Sequence, residues 1–329
     1  MAESVLVTGA TGLIGAALVK KFAAEGHHVY AAARNVEKAH AQFGGMPNVE
    51  IVEWDVTKPG GPRSAVTDGR AALVAATDWL VHAAAETATK NFVERPVETI
   101  ASILDGTRNV LECARAVQVK SMVYVSSMEV YGAPSADPVT EADIGYLDPV
   151  RLRSNYPEAK RMAENLCVAY ASEYGVPVKI ARLAQTFGEG VRPEDNRVYA
   201  QFARAILAGR DIVLKTDGSA SRCYCAVSDV VSAIALLLEK GVNATPYTVA
   251  NEDTFCSVRE MAERLIAAHP ESGSRLVFDI SEEAARSYPP SSRLKLDSSR
   301  LRALGWEPQV GLMEMFDRMM EGMRGSWAS

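Results

Sequence analysis

The chain of 329 residues has no Cys-x-x-Cys pair, and its five cysteines, Cys113, Cys167, Cys223, Cys225 and Cys256, are odd in number and scattered. That pattern supplies neither a zinc site nor a disulfide frame and reads as the reduced thiols of a cytoplasmic protein without a metal. Positive charge is short as well: 35 Lys and Arg stand against 41 Asp and Glu, a net charge of −6. Without a basic footprint, a nucleic-acid partner is not expected. No apolar run is long enough to span a bilayer, and the first apolar segment follows Glu3 directly, so neither a membrane span nor a secretory leader is expected. Repeats and low-complexity tracts are also missing. With 48% apolar and 23% charged residues, the composition is that of an ordinary globular protein of one large or two modest domains.

What is present begins at the N-terminus. A short apolar strand, Val5-Leu6-Val7, runs into Thr8-Gly9-Ala10-Thr11-Gly12-Leu13-Ile14-Gly15 and then into the helical pattern Ala16-Ala17-Leu18-Val19. Glycines spaced G-x-x-G-x-x-G allow a tight turn, a close approach of pyrophosphate to the main chain, and close packing of helix on strand. The unpaired N–H groups at the helix start then face the phosphates, so Gly9, Thr11, Gly12, Leu13, Ile14 and Gly15 form the cradle of a dinucleotide. After Gly26 stops the helix, His28 to Ala33 reads as a second buried strand, followed by Arg34. A carboxylate at this strand end would bind the adenosine ribose of NAD. None is present at Ala33 or Arg34, and an arginine suits the 2′-phosphate of NADP, so the expected cofactor is NADP or NAD with NADP favoured.

Further strands are expected at Val49 to Glu53, ending near Asp55 and Val56, and at Asp78 to His82, ending in Ala83-Ala84-Ala85. Those small residues leave room for a cofactor across the strand ends. Asp55 can accept from the adenine amino group or cap the next turn. Thr87, Thr89 and Lys90 follow and can line a substrate site; His82, at the end of a buried strand, reads as packed rather than catalytic. A long helix from Val97 to Val117 leads to a strand at Ser121 to Val125 and then to Ser127. A proline-rich loop with Pro134, Pro138 and Pro149 precedes a helix carrying Tyr156 and Lys160, and a strand follows at Val176 to Ala181. The alternation predicts an α/β protein: a Rossmann-type doubly wound parallel sheet with a smaller, mixed C-terminal portion. The dinucleotide-binding domain is expected over residues 1–185, with 222–250 returning to it, and the substrate-binding portion over 186–329.

Tyr156 and Lys160, four apart on a helix, share a face. A phenol ordinarily titrates near ~10, and a neighbouring ammonium together with an oxidised nicotinamide favours the phenolate. Such a phenolate removes a proton from a substrate hydroxyl while hydride leaves the adjoining carbon. Ser127, past a central strand, lies where ligands bind in a doubly wound sheet and can hydrogen-bond the same substrate oxygen.

In this order of motifs the chain resembles the extended short-chain dehydrogenases/reductases of the NAD-dependent epimerase/dehydratase family. The likeness runs through Thr8 to Gly15, Tyr124 to Gly132, Tyr156 to Lys160, Arg182-Leu183, Arg222 to Val230 and the tail Leu304-Gly305-Trp306-Glu307-Pro308. It implies Ser127, Tyr156 and Lys160 as the catalytic triad, and the Val-Tyr-Gly and Leu-Gly-Trp-x-Pro features point to the nucleotide-sugar branch. Members that are 4,6-dehydratases carry Asp and Glu after the active-site Ser or Thr; here Met128 and Glu129 follow, which disfavours that activity. Glu129 is left as a second base or as the partner of a nearby cation. The resemblance also implies Gln185 near the sugar, Arg222 and more loosely Arg293 on the nucleotide diphosphate, and a homodimer through two long helices, about 97–117 and 156–174. The expected activity is hydride exchange at a sugar carbon, as an epimerase or 4-ketoreductase. The alternatives are a carbonyl or alcohol dehydrogenase with a non-nucleotide substrate and a non-catalytic NAD(P)-binding sensor.

Overall fold

The computed structural model describes residues 2–64, 77–280 and 293–327. Its centre is the first strand, β1 (Ser4–Thr8), which is buried from Val5 onward and lies between β2 (His28–Ala33) and β5 (Trp79–His82), parallel to both. Strands buried on both faces read as continuous apolar runs, which is why Val5-Leu6-Val7 and Tyr30-Ala31-Ala32-Ala33 show no alternation. On one side the sheet continues through β3 (Val49–Glu53) to the two-residue antiparallel edge β4 (Arg63–Ser64). On the other it continues through β6 (Ser121–Ser127), β7 (Val178–Leu183) and, after β8 (Gln185–Phe187), β9 (Ile212–Leu214) and β10 (Ser221–Ala226), to β11 (Pro246–Val249). The order β11-β7-β6-β5-β1-β2-β3-β4 contains seven parallel strands, the doubly wound sheet expected from the alternation.

One face is covered by α1 (Leu13–Ala24), α2 (Val36–Phe43) and, later in the chain, the helix Val227–Lys240. Their apolar sides join Val5, Val7, Val29 and Ala31 in one core. The other face is covered by α4 (Pro96–Val117), which follows the short α3 (Asn91–Glu94), and by α5 (Asn155–Tyr174), packed against each other over Leu6, Leu80 and Met122. Proline at the first position starts α4, and Gly175 in the left-handed region ends α5. The helix α2 begins three residues after the end of β2. It is fixed locally by the Asn35 side chain, which accepts from the Lys38 amide at 2.7 Å.

The remainder forms a second lobe. Here β10 pairs with β8, with β12 (Asn251–Ser257) and with β14 (Arg293–Leu294), while β13 (Leu276–Phe278) pairs with β9. A third core, built on Phe187, Tyr199, Phe316 and the methionines of the C-terminal helix Leu312–Trp327, holds this lobe together. Leu13, at the first turn of α1, packs against both this core and that of the main sheet, so the glycine turn lies at the seam of the two lobes. Among the described residues no helix is long and apolar enough to cross a membrane.

Candidate active site

A cleft of about 710 Å³ opens at the C-terminal ends of the parallel strands. Its floor is the glycine turn. Gly9 adopts φ +67°, and a Cβ there would stand 2.8 Å from the backbone of Ala84; a Cβ on Gly15 would stand 2.2 Å from the Gly9 carbonyl oxygen. No side chain fits at either place. Gly12, extended, starts α1 without a side-chain cap, and Leu13 and Ile14 of the first turn line the cleft. This is the shape that a pyrophosphate on a helix N-terminus requires, so the residues present fit a dinucleotide.

Of the residues singled out above, Gly9, Thr11, Gly12, Leu13, Ile14, Gly15, Arg34, Asp55, Val56, Ala83, Ala84, Ala85, Thr87, Ser127, Glu129, Tyr156, Lys160 and Gln185 all line this one cleft. Lys90, Arg222 and Arg293 do not. Lys90 is exposed and pairs with Glu94 at 3.5 Å. Arg222 lies on β10, beside Cys256 and Leu294, and Arg293 donates to Asp137 at 2.6 Å and covers the Phe255 ring in a separate surface hollow.

Ser127 closes β6, two strand positions further than the sequence pattern suggests, because pairing with β7 runs to Ser127 against Leu183. Its Oγ accepts from the Glu129 amide at 3.2 Å, which leaves the hydroxyl proton free to donate. Tyr156 is buried at the start of α5, its ring stacked on Phe92 at 4.4 Å and 19°. Burial pushes the phenol well above its usual range and Glu129 adds to that; a hydrogen bond from Ser127 and the charges of Arg153 and Arg197 pull it back. The expected lysine neighbour stands further off: Lys160 Nζ is 6.0 Å from the centre of the Tyr156 ring, donates to the Val125 carbonyl at 2.8 Å and lies over the Tyr124 ring. Burial lowers Lys160 to about 8, with Glu164 opposing the shift. In the protein alone, then, two arginines rather than Lys160 counter the burial of the phenol.

His82 is packed, as its position suggested. Its Nδ1 lies 2.8 Å from Thr8 Oγ1 and its Nε2 3.3 Å from Thr107 Oγ1, and burial, with Lys160 adding, lowers it to about 3. Asp55 accepts from the Thr57 amide and hydroxyl at 3.1 and 2.7 Å, the turn-capping alternative. Burial works to raise its carboxyl, but the Thr57 bonds and the Arg34 charge outweigh that and hold it below the usual range.

Five cleft residues or neighbours escaped the sequence reading. Lys38 of α2 donates to the Thr11 carbonyl at 3.2 Å, and Arg192, from the second lobe, reaches the same oxygen at 3.5 Å. Arg197 is held by Asp195 at 3.0 Å and its charge acts on Tyr156; Phe92 stacks on Tyr156, and Arg153 lies over the Phe92 ring. Only Arg153, three residues before Tyr156, carried a local signal. The rest come from segments far apart in the chain.

Fold and site together define a dinucleotide-dependent enzyme of the extended short-chain dehydrogenase/reductase type. The model of the NAD dependent epimerase/dehydratase family matches residues 5–251, and the chain belongs to that family. UDP-glucuronic acid decarboxylase 6 of Arabidopsis thaliana is 30% identical over 326 residues, 97% of this chain and 88% of that protein. UDP-glucuronic acid decarboxylase 1 of Xenopus tropicalis is 30% identical over 331 residues, 98% of this chain and 72% of that protein. Among solved structures, a dTDP-glucose 4,6-dehydratase from Streptomyces venezuelae with NAD bound has a TM-score of 0.78 at 25% identity, covering 99% of this chain and 98% of that one. UDP-glucose 4-epimerase from Thermotoga maritima with UDP-glucose shares the fold, with a TM-score of 0.81 at 23% identity over 98% of this chain and 99% of that one.

Proposed function

We propose that the protein oxidises C4 of a UDP-sugar and that its substrate is a UDP-hexuronic acid. The observation that carries the reading is the wall formed by Ser127, Tyr156 and Glu129 opposite the glycine turn; the decarboxylase relatives support the sugar. The bound dinucleotide supplies the hydride acceptor and donor. Tyr156 takes the proton of the C4 hydroxyl, Ser127 donates to the same oxygen, and Lys160, anchored on Val125, sets the positive charge beneath them. With a carboxylate on C5, a C4 ketone stands β to it and CO2 can leave; without one, return of hydride to the other face gives an epimer, and the reductive half alone gives a 4-ketoreductase. Buried Met128 offers no proton for a C6 hydroxyl, which disfavours 4,6-dehydration.

NADP is the favoured cofactor. Arg34, Lys38 and Arg192 gather at the adenosine end; burial and then Arg192 lower Lys38, and the nearby Asp55 is already occupied by Thr57. A 2′-phosphate would meet these cations with charge-assisted bonds. A homodimer through α4 and α5 is part of the same reading, supported by the exposed Val97, Ile100, Met162 and Val168 on those helices.

The test is incubation with UDP-glucuronic acid, UDP-glucose and UDP-galactose, each with NADP+ and with NAD+, following CO2, sugar products and reduced cofactor. Expected are CO2 from UDP-glucuronic acid, a higher kcat/KM for NADP+, and loss of turnover by at least about 100-fold in Tyr156→Phe. Turnover of none of the sugars would reject the nucleotide-sugar reading. Epimerisation of the neutral sugars without CO2 would reject the uronic acid.

A further inference from the structure

One ion pair, between Glu129 of the cleft wall and Arg153 just behind that wall, is not used by the redox step. Arg153, in the 3-10 turn Leu152–Ser154 just before α5, donates from Nη2 to Glu129 Oε1 at 3.1 Å, and the same nitrogen stands 3.0 Å from Oε2. Its guanidinium carbon lies 4.7 Å from the centre of the Phe92 ring, and Phe92 in turn stacks on Tyr156. The shelf is fixed from behind, since Asn155 Nδ2 donates to the Phe92 carbonyl at 2.6 Å. Both charges act on the Tyr156 phenol, Glu129 raising it and Arg153 lowering it.

The pair is open to water, with 44% of the Arg153 side chain and 29% of the Glu129 side chain exposed. Such pairs add little to stability, so the fork can exchange one carboxylate for another at small cost. The aromatic shelf meanwhile keeps the guanidinium plane aimed. The other arginine beside Tyr156 is built differently: Arg197 holds Asp195 through Nε at 3.0 Å to both oxygens, and Asp195 also accepts the Arg197 amide at 2.9 Å, so that loop is closed on itself.

We propose that Arg153 is the residue that recognises a carboxylate on C5 of the sugar, which displaces Glu129 from its fork. The inference rests on the proposed reaction at C4: a carboxyl carbon on C5 is attached next to the carbon whose hydroxyl meets Tyr156, and so arrives where Arg153 and Glu129 lie. A hexose with a neutral hydroxymethyl group has no charge with which to compete for the fork, and leaves the pair closed. A uronate opens it and frees Glu129 toward the reacting carbons. Selection of the acid and release of Glu129 are then one event.

The experiment is calorimetric titration of the holoenzyme with UDP-glucuronic acid, UDP-glucose and UDP, in wild type, Arg153→Met, Arg153→Lys, Glu129→Gln and Arg197→Lys. Arg153→Met is expected to weaken UDP-glucuronic acid by about 10- to 100-fold and to change UDP-glucose and UDP by less than about 3-fold, since neither uses the fork. Arg153→Lys keeps the charge but not the planar guanidinium laid on the Phe92 ring, and falls between. Glu129→Gln removes the competitor and binds UDP-glucuronic acid at least as tightly as wild type. Equal losses for both sugars, an unchanged preference in Arg153→Met, or loss of the preference in Arg197→Lys instead would overturn the assignment, as would a wild type that does not prefer the acid. A wild type that binds neither sugar rejects the proposed function itself, whereas a wild-type preference that survives Arg153→Met rejects Arg153 alone.

Discussion

Tyr156 and Lys160 are both buried, and burial works against the charged form of each: the phenol is pushed up and the ammonium is lowered to about 8. Lys160 is therefore a cation at neutral pH held mainly by a carbonyl and an aromatic face, with Glu164 one helical turn on as its nearest carboxylate influence. His82, whose ring lies 5.6 Å from that of Tyr124, feels the charge of the same lysine and stays neutral. Its folded value of about 3 lies below the ordinary 6.5, so as the pH falls through that window the unfolded chain binds a proton that the native protein refuses. Stability is then lost on acidification, at about 1.4 kcal/mol per pH unit from this group. Urea unfolding at pH 7, 6 and 5 on wild type and His82→Gln reads it, in the order of pH units. The difference between the two proteins should shift in favour of the variant as the pH drops, whatever the substitution itself costs. A constant difference would mean that His82 titrates alike in both states.

Three elements meet in a buried polar network that ties together the segments carrying Ser127 and Lys160. Ser126, beside Ser127 on β6, donates to Glu164 of α5 at 2.6 Å, and Glu164 pairs with Arg182 of β7 at 2.8 Å. Arg182 also donates to the Glu141 carbonyl at 2.9 Å and lies over the Tyr131 ring. The network ties the end of β6 and the Lys160 face of α5 to a common point on β7. Removing one charge leaves the other buried and unpaired, so Arg182→Met should cost about 3–5 kcal/mol, while the double variant Arg182→Met with Glu164→Leu should recover much of that loss. Chemical denaturation of the singles and the double measures the coupling. Simple addition of the two single costs would show that the pair is not coupled.

At the scale of the molecule, the second lobe contributes directly to the cofactor cleft: Arg192 reaches the Thr11 carbonyl, and Gln185 and Arg197 stand in the wall. The outward faces of α4 and α5 carry Val97 and Ile100, 73% and 38% exposed, and Met162 and Val168, 49% and 40% exposed. Large apolar side chains left exposed on these two helices are the ones the proposed homodimer would cover. If the proposed homodimer uses it, sedimentation at micromolar concentration will show a dimer in wild type and a monomer in Val97→Asp with Met162→Asp, both folded by circular dichroism. A wild-type monomer would remove the proposal.

The sequence by itself determined the parts whose information is local. The glycine turn is legible because strand, spacing and helix start are contiguous. The parallel sheet is legible because each buried strand is a short apolar run. That Ser127, Tyr156 and Lys160 line one cleft is legible because it depends on a strand end and on four-residue spacing in one helix. Tertiary structure decided everything that depends on distant segments meeting. It placed Lys160 6.0 Å from the centre of the Tyr156 ring and against Val125, and it brought Phe92 and Arg197 to that tyrosine from either lobe. It gathered Lys38 and Arg192 on one carbonyl, and it left Arg222 and Arg293 off the cleft wall. The physical reason is that spacing along a chain fixes which side chains share a helix face or strand end, whereas burial and charge at a site are sums over neighbours that only packing brings together.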